Sequence, residues 1–121
     1  MSSFSLICEA LVVGRLENCS CDDDTWNGTI ILTIEQHYGE LAKRVLQFIK
    51  FCQEWNERVL QRLPSEASEF DEYSDLIKTG LWKTKEANGD VRYIVDAPVF
   101  FQSGEVSWKA AKERREHKAG T

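Results

Sequence analysis

Residues 38–63 read YGELAKRVLQFIKFCQEWNERVLQRL, and this stretch decides the fold class. Leu41, Val45, Phe48, Ile49, Cys52, Trp55, Val59 and Leu63 recur at steps of three and four, which places them on one stripe of a helix. Leu46, Phe51 and Leu60 widen the stripe, so the helix is expected to touch neighbours on more than one side. A helix from Tyr38 to Leu63 would be about 39 Å long, more than a small sheet can cover. Pro64 is its expected stop, because the residue before a proline is pushed out of the helical region. A stripe of this width belongs to a core.

Towards the C-terminus, Ser68 has the chemistry of an N-cap, and Glu69, Asp71 and Glu72 suit the positive end of a helix dipole. A second, shorter α-helix is predicted over Glu69–Lys78, with Phe70, Tyr73, Leu76 and Ile77 inward and Gly80 just past its end. The period then changes to two. Leu81–Glu86 and Val91–Asp96 flank Ala87-Asn88-Gly89-Asp90, and Asn-Gly is the strongest short hairpin signal. A two-residue turn at Asn88-Gly89 would oppose Thr84 with Tyr93 and Trp82 with Val95. It predicts Trp82, Thr84, Val91, Tyr93 and Val95 on the core face, with Lys83, Lys85, Arg92 and Ile94 on the other. A second hairpin is predicted from Pro98–Phe101 to Glu105–Trp108 through a two-residue turn at Ser103-Gly104.

Towards the N-terminus, Phe4, Leu6 and Cys8 alternate with Ser3, Ser5 and Ile7, and the run Ala10-Leu11-Val12-Val13 follows. Residues 28–35 are rich in β-branched side chains and put Ile30, Leu32 and Ile34 on one face. Between these strands the polar stretch Glu17–Asn27 reads as a loop. The expected fold is α+β: an antiparallel sheet of about four to six strands packed against one long and one short α-helix, in the order ββααββ(ββ). Residues 1–108 would form the single domain, and residues 109–121 a charged tail or exposed helix.

The chain has 121 residues, 42% hydrophobic and 29% charged, as one globular domain requires. Fifteen basic against twenty acidic side chains give a net charge of −5. This argues against a dedicated nucleic-acid binder, the basic tail excepted. The charge is uneven. The first forty residues hold seven acidic side chains against Arg15 alone, whereas residues 109–121 hold five basic against two acidic. No apolar run approaches the roughly 20 residues that span a bilayer, so no membrane partner is expected. Neither a secretory n-region nor a lipidation signal is visible, which predicts a cytoplasmic protein with reduced thiols.

Cys8 and Cys52 fall in apolar patterns and are expected to be buried. Cys19 and Cys21 have C-x-C spacing, which is wrong for the paired ligands of a zinc site, and only His37 and Cys52 could join them. Phosphate loops, nucleophile elbows and H-E-x-x-H motifs are missing, and His37 and His117 stand without a convincing nucleophile motif. No catalytic residue, metal or cofactor is therefore expected. Asp22-Asp23-Asp24 could attract a hard cation, but consecutive side chains converge poorly on one ion.

The same three carboxylates beside Trp26 are the candidate partner-binding residues. A single-sign loop suits a basic partner. Trp26 would be either an interface anchor or a cap on one edge of the core. The leading expectation is a small cytoplasmic protein-binding module of inhibitor or immunity type, microbial or phage, with an acidic docking surface. Two alternatives stand beside it. One is an oligomeric scaffold or regulatory domain, such as a homodimer burying Leu46, Phe51 and Leu60 against a symmetry mate. The other is a small enzyme or ligand-binding domain with a pocket that includes His37.

Overall fold

The computed structural model describes residues 3–34 and 39–111. The chain runs β1 (Ser3–Cys8), β2 (Leu11–Asp22), β3 (Thr25–Leu32), α1 (Glu40–Leu60), a 3-10 helix (Ala67–Leu76), β4 (Trp82–Glu86), β5 (Val91–Tyr93), β6 (Val99–Phe100) and β7 (Glu105–Lys109). All seven strands belong to one antiparallel sheet in the order β5-β4-β1-β2-β3-β7-β6. The class is α+β, with seven strands where four to six were predicted, and with three strands ahead of the long helix.

The extra strand comes from the first forty residues. The apolar run from Phe4 to Val13 is not one strand but a hairpin, reversed at Glu9-Ala10, where Cys8 opposes Leu11 and Glu9 takes a φ of 57°. The predicted loop Glu17–Asn27 is mostly strand. After a bulge between Glu17 and Ser20, β2 and β3 pair on through Ser20–Asn27, Cys21–Trp26 and Asp22–Thr25. Its polar composition reflects solvent exposure at the end of a long ribbon, which hydrophobic periodicity does not register.

The long helix forms where the stripe predicts it. Ala42, Val45, Phe48, Ile49 and Cys52 are its buried residues and pack on Leu6, Val13, Leu16, Trp82, Phe100 and Val106 from the sheet. Phe48 sits among three rings, with centroids 5.5 Å from Tyr73, 5.9 Å from Trp82 and 6.4 Å from Phe100. The helix ends before the predicted Leu63. Arg62 turns left-handed at φ 59°, its N–H donates to the Val59 carbonyl, and the Leu63 N–H donates to the Arg58 carbonyl. This paired reverse bonding satisfies the last carbonyls ahead of Pro64.

The second helix is a 3-10 helix rather than the predicted α-helix, and it starts at Ala67 rather than Glu69. Glu66, not Ser68, is its N-cap, and the Glu69 carboxylate accepts from the Glu66 N–H at 2.9 Å. Arg58 forks onto the same carboxylate at 2.6 and 3.2 Å. The capping box between Glu66 and Glu69 is thus tied to α1, and a non-helical Tyr73 kinks the segment inside.

Both predicted hairpins form, each one residue out of the expected register. Glu86 pairs with Asp90 and Phe101 with Glu105, so the turns hold three residues, Ala87-Asn88-Gly89 and Gln102-Ser103-Gly104. Gly89 at φ 97° and Gly104 at φ 95° fill the left-handed third position that such turns need. A one-residue slip exchanges faces. Tyr93 and Val91 therefore oppose Lys83 and Lys85, and Tyr93 is 49% exposed, whereas Ile94 is 1% exposed in the core beside Trp82.

The sheet then curls until its two sides meet. Ile94 bridges Ala110, the Val95 N–H donates to the Lys109 carbonyl, and the Ala111 N–H donates to the Tyr93 carbonyl. Ile94 also donates to the Trp82 carbonyl, so the segment after β5 joins β4 to the end of β7. The sheet thus reaches past residue 108, up to Ala111. Predictions for residues 112–121, including His117, and for His37 lie outside the described residues.

Candidate functional site

The β2–β3 tip carries the residues singled out in the sequence. Asp22 and Thr25 are the last ladder pair, and Asp23-Asp24 make the turn. Asp23 adopts φ 63°, a conformation that aspartate tolerates because its short side chain can bond locally. The Cys21 thiol donates to the Asp23 carbonyl at 3.1 Å and braces the reversal. Asp22, Asp23 and Asp24 are all exposed. The four ion pairs among the described residues lie elsewhere: Arg15–Glu17, Arg44–Asp75, Arg58–Glu69 and Arg92–Glu86. The trio of carboxylates thus enters no ion pair among the described residues, although Lys109 lies opposite Thr25 on β7.

Trp26 stands one position behind this tip. Its ring lies parallel to Trp108 with centroids 6.1 Å apart, and Phe4 meets it edge-on at 5.6 Å. The register explains the stack, since Trp26 and Trp108 are directly opposed between β3 and β7. Trp26 is half-buried and packs against the core. Its support by Phe4 and Trp108 depends on strand pairings across the whole chain, which no local pattern announces.

The cysteines divide by environment. Cys8 and Cys52 are buried, and burial pushes both thiols up to about 12, with Glu9 adding to the effect at Cys8. Cys19 is half-buried and its thiol is also raised by burial. Cys21 is exposed, and all four are free. Raised thiols are poor nucleophiles and poor metal ligands at neutral pH. Among the described residues no group of three or more His, Cys, Asp or Glu is placed to hold a metal ion.

A second feature lies along the flank of α1. The 3-10 helix covers one flank of α1, where Phe51 meets Phe70 and Tyr73 at 4.9 Å each and Trp55 meets Phe70 at 5.0 Å. Phe51 and Leu46 are thereby half-buried within the chain, and only Leu60, at 74%, stays open of the three residues assigned to a symmetry mate. Between α1, the 3-10 helix and the bend before β6 lies a cleft of about 490 Å³, with Phe48, Cys52, Trp55, Phe70 and Pro98 among its walls. The bend itself is held by the Asp96 N–H, which donates to Thr79 Oγ1 at 3.0 Å. Finding this cleft from sequence would require knowing that residues 67–70 and 96–99 face the same turns of α1.

Two acidic residues near this flank are engaged, Asp75 and Glu69. Arg44 reaches Asp75 at 3.0 Å and also donates to the Glu72 carbonyl, and it holds the Asp75 carboxyl below its usual range. The Arg58 fork does the same to Glu69. No helix of the described residues is long and apolar enough to cross a membrane. No protein family, curated protein or solved structure matches the chain.

Proposed function

We propose that this chain is a cytoplasmic protein-binding module of inhibitor or immunity type, which engages a basic partner through the β2–β3 tip. The observation that carries this reading is the exposed trio Asp22, Asp23 and Asp24, which takes part in none of the four ion pairs among the described residues. Adjacent like charges repel one another, and a cationic surface relieves that repulsion when it docks. Their field reaches about 8–10 Å at physiological salt, so it guides approach before contact. Trp26, held between Phe4 and Trp108, gives the charged turn a firm base and offers the exposed part of its indole to the partner. Inhibition follows if the basic surface so covered is the partner's own working site. Affinity capture with the wild type beside a variant carrying Asp22→Asn, Asp23→Asn and Asp24→Asn tests the reading. A basic protein retained by the wild type and lost by the variant supports it. Equal retention by both, or none by either, removes it.

A further inference from the structure

The cleft beside α1 shares no residue with the acidic tip, and most of its polar donors are already committed. Asn56 spends its side-chain N–H groups on the Cys52 carbonyl at 2.9 Å and the Phe100 carbonyl at 3.1 Å. Its Oδ1 accepts no hydrogen bond among the described residues, and no buried side-chain polar atom there lacks a partner, so this oxygen is open to solvent. Asp96 lines the same cleft, is exposed, and enters none of the ion pairs. The Trp55 indole N–H is committed to the Glu66 carbonyl at 3.1 Å. Arg58, close to Trp55 and Glu69, is held by the Glu69 carboxylate and the Pro64 carbonyl. The cleft therefore presents acceptors and negative charge around an apolar floor, with the weak Cys52 S–H as the one donor left among these side chains.

We infer that this cleft binds a small apolar molecule bearing a protonated amine, its ring against Phe48, Trp55, Phe70 and Pro98 and its ammonium at Asp96. The size supports a small ligand, since about 490 Å³ falls within the range of drug-sized sites. The charge selects the amine. An anion would be repelled by Asp96, and a neutral ring would gain nothing from its carboxylate. Asp96 is exposed, so its ion pair contributes modestly.

Titration calorimetry with tryptamine, the neutral tryptophol and the anionic indole-3-acetate tests this. Tryptamine is expected to bind about fivefold more tightly than tryptophol, the gain of one exposed ion pair, and indole-3-acetate more weakly than both. Asp96→Asn should bring tryptamine and tryptophol together. Ala67→Trp, at an exposed position on the cleft wall, should block both without unfolding the domain. Asn at Asp22, Asp23 and Asp24 should leave tryptamine binding unchanged, which separates the cleft from the acidic tip. The inference is overturned if none of the three binds the wild type. Equal affinity for tryptamine and tryptophol, or a preference that survives Asp96→Asn, would also overturn it. So would Ala67→Trp binding like the wild type, or loss of tryptamine binding when the tip is neutralised.

Discussion

Cys8 and Cys52 keep their protons because the wall around them is apolar, and that has a measurable consequence at high pH. Burial raises both thiols from 9.0 to about 12 in the folded chain. An unfolded chain releases these protons near pH 9 and the folded chain does not. Each thiol therefore contributes stability that is complete below pH 9 and is lost as pH rises towards 12, with a slope of about 1.4 kcal/mol per pH unit. Denaturant melts between pH 9 and 11 should show a shallower decline when Cys8→Ala and Cys52→Ala are combined, although their starting stability will be lower. A thiol reagent at neutral pH should modify Cys21 first and Cys19 more slowly, reaching Cys8 and Cys52 only on unfolding. Burial of Cys8 and Cys52 was legible, since each falls at an inward step of an apolar pattern. The dual position of Trp26 was not. Its sequence neighbours are three aspartates, but its spatial neighbours are Trp108 and Phe4, brought there by β7 and β1. Trp26→Ala should cost about 2–4 kcal/mol, less than removal of a fully buried indole, while Trp26→Phe should recover much of the loss.

At the scale of elements, periodicity succeeded where one side of an element alone faces the core. The stripe on α1 named all but one of the helix's buried residues, and Ala42 was missed because its small side chain adds little to an apolar pattern. The alternation in β3 placed Ile30 and Leu32 inward and left Ile31 exposed. Turn chemistry also located both C-terminal hairpins, yet it miscounted each by one. Asn-Gly serves a two-residue turn and the end of a three-residue turn equally well. Here Asn88 Oδ1 accepts from the Asp90 N–H at 2.9 Å and favours the longer form. The core decides the rest, because this register buries Ile94 and releases Tyr93, whose hydroxyl and flanking lysines suit water. Gly89→Ala and Gly104→Ala should each cost about 1–2 kcal/mol, since a Cβ is strained in the left-handed region. Chemical denaturation would read this directly. A cost near zero at both sites would mean that neither glycine is left-handed. The second helix was legible, but its start and its 3-10 form were not: the Glu69 carboxylate that caps it is shared between the Glu66 N–H and Arg58, which lies in α1.

The whole molecule is held by contacts that cross the chain. β4 lies beside β1, β7 lies beside β3, and the segment after β5 closes on Lys109–Ala111. Such pairings have no local signature, which explains why the class α+β was legible and the strand order was not. Phe48 joins the layers, touching Tyr73 of the 3-10 helix, Trp82 of β4 and Phe100 of β6. Phe48→Ala should cost about 3–5 kcal/mol and lower the midpoint of a single transition rather than split it. Two separate transitions would show that helix and sheet fold apart. The same architecture leaves the β2–β3 tip exposed and outside every ion pair among the described residues, and the functional account rests on that. Carboxylates that steer a partner act on the rate of association, and salt screens them. The most direct test is surface plasmon resonance of the captured partner across a salt series, with the wild type beside the Asp22→Asn, Asp23→Asn, Asp24→Asn variant. Slower association and a flatter salt dependence in the variant, at an unchanged melting temperature, are the predicted result; association rates and salt slopes that coincide would contradict the account.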